Sequence, residues 1–390
     1  MRVQSTRLGT TPFPDWLPRA DVAAGASAVV GAWQAAGADY VSLGPVQLRH
    51  DPAWLAVIPD LLMAAEGVFA SIEIATTDGR IDTGRCHAAA EVIRRVSALR
   101  ADGFANLFLG ALAACGSGHP FLPASYADGG ADSFAIAVEA ADVALEAIDG
   151  AATLAEAAGR LTAGIEAAAA AIVPVAQRLS AEFRLRFGGL DFSLAPYPTP
   201  DKSLGAALEA LGTRVGAPGA LFAAAFITAA IDRAAFPRTG FSGLMLPVLE
   251  DATLARRAAA GELALNDLLL YSAVCGVGLD TIPLPGDIGA ATLAGILLDT
   301  AALAARLRKP LVARLMPLPG CRAGDKTAFS FEYFAPGRAM PVTGEGVGGL
   351  LAREAGLHLA LGVEEHQRRE AGHPERCAGG AVGVEGDDLD

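Results

Sequence analysis

Lysine is almost missing from this chain. Lys202, Lys309 and Lys326 are the only three among 30 basic residues, and 43 acids outnumber those. The formal net charge is −13, and no basic stretch carries interleaved aromatics. That balance excludes nucleic acid and anionic membrane from the expected partners. Cysteine is sparse too: Cys86, Cys115, Cys275, Cys321 and Cys377 are far apart, odd in number and form no C-x-x-C pair. A disulfide framework or zinc ribbon is not expected. The opening "MRVQSTRLGTTPFPDW" has no apolar leader core, and apolar runs such as "APGALFAAAFITAAI" are short for a bilayer span. The expectation is a cytoplasmic protein. GxGxxG after a strand, GxxxxGK[ST], GxSxG and HExxH are all absent, and "GSGHP" at 116–120 lacks the P-loop lysine.

What is abundant is apolar surface: 52% of the 390 residues, with mean hydropathy +0.38. This excludes a mostly disordered chain and suffices for one large domain. Short apolar runs alternate with Ala-rich helical stretches. Strands are expected in "RVQSTRLG", "ADYVSLGPV", "FASIEIA", "ANLFLGALA", "SFAIAV", "FRLRFGGLDFSLA", "FSGLMLPVL" and "PLVARLMPL". Helices are expected near 21–36, 86–101, 139–148, 151–180, 203–212, 218–235, 252–260, 263–275, 290–308 and 348–371. The alternation predicts an α/β fold with a largely buried, mostly parallel sheet, as a barrel or a doubly wound sheet. Residues 1–340 read as one domain, 341–371 as a C-terminal helical extension, and the Gly-rich, acidic 372–390 as a disordered tail. "EEHQRRE" reads as a solvated helix face rather than a metal site.

Polar residues at the ends of apolar runs carry the chemistry, because parallel α/β folds bind ligands at strand carboxyl ends. "GGLDFSLAPYP" offers Asp191 and Ser193, "FSGLMLPVLED" offers Glu250 and Asp251, and "CGVGLDTIPLPGD" offers Cys275, Asp280 and Asp287. "VARLMPLPGCRAGDK" offers Arg314 and Lys326, and "PASYADGG" offers Ser125. An arginine inside "PLVARLMPL" would be buried, so it needs either an internal acid or an anionic ligand. Converging acids would bind a hard cation such as Mg²⁺ or Ca²⁺, or raise one another's pKa for acid–base work. Asp251 and Asp287 also stand where helix caps belong. Asp280 has no helix to cap. Cys275 follows a helix, where the dipole disfavours a thiolate, so it is either a small buried apolar residue or a thiol that needs a cation such as Arg314.

These phrases, in this order, resemble the uncharacterised bacterial and archaeal family called domain of unknown function 711. The similarity runs over about 1–340 and is most specific over 184–334; "VSLGP" and "GFANL" resemble its shorter branch. The resemblance implies a fold similar to glycyl radical enzymes: a ten-stranded α/β barrel of two five-stranded halves, helices outside and loops projecting inward. "CGVGLD" is then the counterpart of a central cysteine loop. The radical glycine's R-V-x-G-aromatic context is missing, and "RCAGG" at 376–380 lacks the aromatic, so radical chemistry is not expected.

The expected function is an enzyme acting on a small polar or anionic metabolite in a central cavity. Asp280 with Glu250 or Asp191 does acid–base work or holds a divalent cation, and Cys275 is nucleophile, proton donor or bystander. Arg314, with Lys326, Asp287, Asp251, Ser193 and Ser125 around it, holds the ligand. A lyase or isomerase is favoured over a hydrolase, and a homodimer is the expected assembly. The alternative is a non-catalytic small-molecule-binding or regulatory protein on the same barrel.

Overall fold

Ten strands alternate with ten α-helices among residues 2–353 and 356–359, the part of the chain that the computed structural model describes. The strands are β1 (Arg7–Gly9), β2 (Tyr40–Val46), β3 (Val68–Ala75), β4 (Arg80–Asp82), β5 (Leu109–Ala113), β6 (Ser133–Glu139), β7 (Arg186–Ala195), β8 (Gly278–Pro285), β9 (Leu311–Leu318) and β10 (Gly356–His358). The helices are α1 (Val22–Ala35), α2 (Ile58–Met63), α3 (Thr83–Ser97), α4 (Ala141–Ile148), α5 (Leu154–Phe183), α6 (Leu204–Ala210), α7 (Ala220–Arg233), α8 (Ala252–Ala259), α9 (Leu265–Ser272) and α10 (Ala290–Leu307). The mixed α/β class, rich in parallel strands, is as the sequence predicts. The short α2, β4 and β10 are not legible in it.

Strands β1, β2, β3 and β5 lie side by side and parallel. β5 then meets β9 antiparallel, and β9 pairs with β8 in parallel. A parallel β6–β7 pair forms a second, two-stranded sheet. The run "FSGLMLPVL" is expected to be a strand but forms no ladder. Pro247 lacks a donor, and a Cβ on Gly243 would come 2.4 Å from the Gly276 Cα. The run instead bridges two walls with single bonds: Met245 N donates to the Ser193 carbonyl at 2.9 Å and Val248 N to the Asp280 carbonyl at 3.1 Å. The main chain therefore forms a continuous arc from β1 round to β6. Between β1 and β6 no ladder closes it among the described residues. There the Gln4 Nε2 donates to Glu139 Oε1 at 2.7 Å.

The two-residue period of the strands sorts their side chains. Val41, Leu43, Ile72, Ile74, Leu190, Phe192, Leu279 and Leu315 join one large core with the helices. The alternate positions, including Ser42, Ser71, Glu73, Asp191, Ser193, Asp280 and Arg314, face away from that core. Helices α5 and α10 are long and apolar enough to cross a membrane by length and composition. α10 packs on α3 and β9.

The segment 114–127 leaves β5 and runs across the inner face of the arc. Its Ser125 presses on Gly9, its Tyr126 on Gly44, its Pro123 on Gly110 and its Pro120 on Gly240, each close enough that a Cβ on the glycine would meet it. Gly44 and Gly240 also have positive φ, of 77° and 63°, which favours glycine. The inward element is thus this segment. The run 278–285 is part of the wall, as β8, with only individual side chains turned inward.

The helix expected at 348–371 is corrected within the described part. Residues 341–348 are irregular, Gly349–Ala352 makes one 3-10 turn, and β10 pairs antiparallel with β4. Glycines at 344, 346, 348 and 349 explain the lack of helix. Residues 354, 355 and 360–390, which carry "EEHQRRE", Cys377 and the expected tail, lie outside the described residues.

Candidate functional site

Arg314 sits in the middle of β9 and is 4% exposed. Its Nε donates to Asp280 Oδ1 at 2.5 Å, its Nη2 to Glu250 Oε1 at 3.1 Å and its Nη1 to the Leu107 carbonyl at 3.4 Å. The guanidinium also lies 5.4 Å from the centroid of the Phe121 ring. Burial works against its charge, but Asp280 and Glu250 more than offset that, so its pKa is raised. A buried charge persists only when paired in this way.

The two acids differ. Asp280, in β8, is fully buried, and its Oδ2 has no hydrogen-bond partner among the described residues. Glu250 follows the extended run and its side chain is 23% exposed. Burial pushes the Glu250 carboxyl up to about 7, against the pull of Arg314 and with help from Asp280. One carboxyl anchors the arginine and the other reaches solvent poised near neutrality.

Glu250 meets solvent there. Arg7 and Glu139, whose charges act on it, are exposed. Tyr40, Tyr197 and Tyr333 are half-buried in the same region, with Tyr197 and Tyr333 ring centroids 5.8 Å apart. Phe104, Phe329, Phe331 and Phe334 pack on one another below. Asp280 is the third residue of β8 and Arg314 the fourth of β9, so the pair lies in the first half of each strand and not at the carboxyl ends where the sequence leads us to expect ligand groups.

The other expected residues do not converge here. Asp191 accepts from Ser193 Oγ at 2.5 Å and from the backbone N–H of Phe241 and Ser242, each at 3.0 Å. It pins the 239–242 turn, and burial raises its pKa. Asp251 caps α8 through Thr253 N and Leu254 N and also accepts from Ser203 Oγ and Gly205 N. Asp287 is exposed and does not cap α10, whose N-cap is Gly289. Lys326 is exposed in a bridge with Arg338, and Ser125 faces Gly9 on the interior segment. Cys275 is 2% exposed within the helix-side core. Its carbonyl, with those of Ser272 and Ala273, accepts from Lys309 Nζ. Arg314 is not its partner.

A cation site is not built from these acids. Among the described residues no group of three or more His, Cys, Asp or Glu side chains gathers in metal-holding geometry. Between Asp280 and Glu250, the place a divalent ion would take holds the guanidinium.

Sequence reasoning missed three features. Arg7 was hidden in an ordinary edge run. The interior segment carries His119, whose Nδ1 is buried without a partner and whose pKa burial lowers to about 4. A second polar cluster joins Asp15, Arg49, His50, Glu73 and Arg85: His50 Nε2 lies 3.1 Å from Asp15, and Arg85 Nη2 donates to the His50 carbonyl at 3.1 Å. Only tertiary proximity assembles it.

Together these features define a mixed α/β protein with an arginine held between two carboxyls inside its wall. The chain belongs to the family described as Uncharacterised ACR (DUF711), which matches residues 1–332. It is 44% identical over 156 residues to a UPF0210 protein of Pyrobaculum arsenaticum, covering 39% of this chain and 35% of that one. It is 32% identical over 298 residues to a UPF0210 protein of Syntrophobacter fumaroxidans, covering 72% and 64%. A UPF0210 protein of Methanosarcina acetivorans is 32% identical over 301 residues, covering 73% and 63%. The chain thus spans between about a third and under two thirds of these relatives' length. They include archaea as well as bacteria, so the family is not a bacterial one alone.

Proposed function

We propose that this chain is an enzyme that moves a proton on a small polar or anionic metabolite bound on the inner side of the arc, with Glu250 as the acid–base group. The observation that carries this is Glu250 itself: solvent-reachable, near neutral in pKa, and set by a buried Arg314–Asp280 pair. A carboxyl of this kind can take a proton from a C–H, O–H or N–H and return it elsewhere, which favours a lyase or isomerase over a hydrolase. Arg314 tunes and orients Glu250, and Asp280 holds Arg314. Cys275, Asp191 and Asp251 support the fold.

We further propose that the strands form the ten-stranded barrel of glycyl radical enzymes without the radical chemistry. Two parallel sets meeting antiparallel at β5 and β9, and the inward segment 114–127, support that reading. The net charge of −13 supports a small-molecule substrate in the cytoplasm, with neither nucleic acid nor membrane as partner.

A metabolite extract incubated with the protein in heavy water tests the function. A metabolite should gain deuterium with wild type and not with Glu250→Gln. If no label depends on Glu250, proton transfer is ruled out. The second reading, a non-catalytic binding protein, then stands; it is favoured by the finding that every nitrogen of Arg314 already has a partner.

A further inference from the structure

The β8–β9 ladder slips between Leu279 and Ile282. Leu279 pairs with Ala313 and Ile282 with Leu315, so Asp280 and Thr281 together stand opposite Arg314. Two residues against one make a β-bulge, which re-aims the side chains it carries. The core shows the change of phase. Leu279, Ile282 and Leu284 all join it, where strict alternation would place Thr281 instead of Ile282. Asp280 and Thr281 are both fully buried.

Thr281 holds an unusual backbone here. Its φ is 43°, a left-handed value that β-branched residues rarely adopt. Such strain persists only where the surroundings fix it, and it gathers at functional sites. The bulge meets the run that delivers Glu250. Thr281 Oγ1 accepts from Leu249 N at 3.3 Å, and the Asp280 carbonyl accepts from Val248 N at 3.1 Å. On the other side, the Leu249 carbonyl accepts from Ala335 N at 2.7 Å. Asp251, the next residue after Glu250, is buried as the cap of α8. The main chain of Glu250 is thus anchored on both flanks, and its side chain leaves that anchor to meet Arg314 Nη2 at 3.1 Å.

The same bulge sends the Asp280 carboxylate to Arg314 Nε. One two-residue feature therefore sets both acids of the arginine, Asp280 through its side chain and Glu250 through its main chain.

We propose that Thr281 is a positioning residue of this site, whose hydroxyl, carried inward by the bulge, holds the main chain that presents Glu250 to Arg314. That the presented group transfers protons rests on the acid–base reading above; the positioning does not.

Carbon-detected titration of Glu250 in the full chain tests it, with thermal melts alongside. Thr281→Val keeps the β-branched shape and removes the acceptor, while Thr281→Ser keeps the hydroxyl. Burial is the main cause of the raised Glu250 pKa of about 7, and Arg314, Asp280, Arg7 and Glu139 also act on it. None of those charges is altered by either substitution. A Glu250 loosened toward solvent loses part of its burial, so its midpoint should fall by at least about half a pH unit in Thr281→Val. Thr281→Ser should keep the wild-type midpoint. A hydroxyl that only satisfies a buried N–H would lower the melting temperature in Thr281→Val without lowering the Glu250 midpoint, and that result overturns the proposal. So does a Thr281→Ser midpoint displaced as far as that of Thr281→Val. Should Thr281→Val not fold, Thr281→Gly replaces it: glycine relaxes the φ of 43° and also lacks the hydroxyl. The same fall is expected there, and a midpoint that does not fall is equally fatal. Deuterium exchange separates the two readings. If wild type shows no Glu250-dependent label while the midpoint still follows the Thr281 hydroxyl, proton transfer fails and the positioning role stands.

Discussion

Asp280 Oδ1 lies 2.5 Å from Arg314 Nε, inside the wall and away from solvent. Removing the acid strands a buried guanidinium. Asp280→Ala should cost about 3–5 kcal/mol of unfolding free energy, and Asp280→Asn less, since an acceptor remains. Denaturant unfolding measures both. An Asp280→Ala protein as stable as wild type would show that Glu250 alone suffices.

The Glu250 carboxyl links stability to pH. Its folded pKa is raised from 4.5 to about 7, with burial the main cause. The folded state therefore holds this proton more tightly than the unfolded chain does. Its stabilising contribution is fully present below pH 4.5 and is lost as pH rises through about 7. Glu250→Gln should flatten the stability slope across that window. A slope unchanged in the variant would assign it to other groups. Carbon-detected titration of Glu250 should give a midpoint near 7.

Cys275 should behave as packing. In the native protein a thiol reagent should label Cys321 before Cys275, Cys86 or Cys115, because only Cys321 of these four is not buried. Cys275→Ala should cost about 1–2 kcal/mol as a small cavity and leave the titration of Glu250 in place. Rapid labelling of Cys275 would contradict its burial.

Gly240 should resist any side chain. Its φ is 63°, and a Cβ there would come 2.1 Å from Asp191 Oδ2. Gly240→Ala should destabilise by about 2 kcal/mol or more. Asp191→Ala, which frees the buried Ser242 N–H and the half-buried Phe241 N–H, should match or exceed it. Thermal melts decide. Wild-type stability in Asp191→Ala would mean that the turn does not depend on this carboxylate.

Much of the second half of the molecule was legible because local signals agree there. β7 and β9 are apolar runs with clear stops, and Asp251 caps the helix it precedes. Arg314 was readable for a thermodynamic reason: a charge within "PLVARLMPL" must find an internal acid or an anionic ligand. Its choice of Asp280 and Glu250 follows from the register of β8 beside β9, which no local pattern encodes. Cys275 and Asp280 looked like one loop in sequence. Five extended residues reach up to about 17 Å, so the strand start between them puts the thiol in the helix-side core and the acid on the other face. The run 241–249 looked like a strand by its apolar content, and Pro247 with Gly243 prevented the ladder. No local pattern marks the segment 114–127 as an inward element, since the glycines that admit it are scattered over β1, β2 and β5.

Those glycines have a consequence for how such a protein changes over time. The inward segment meets glycine at four of its crossings, Gly9, Gly44, Gly110 and Gly240, so it lies against bare backbone there. Changes in its length between those crossings leave strand pairing and the outer helices as they are, whereas a side chain gained at any of the four glycines has to displace it. Such a protein can therefore vary the segment more freely than the wall behind it.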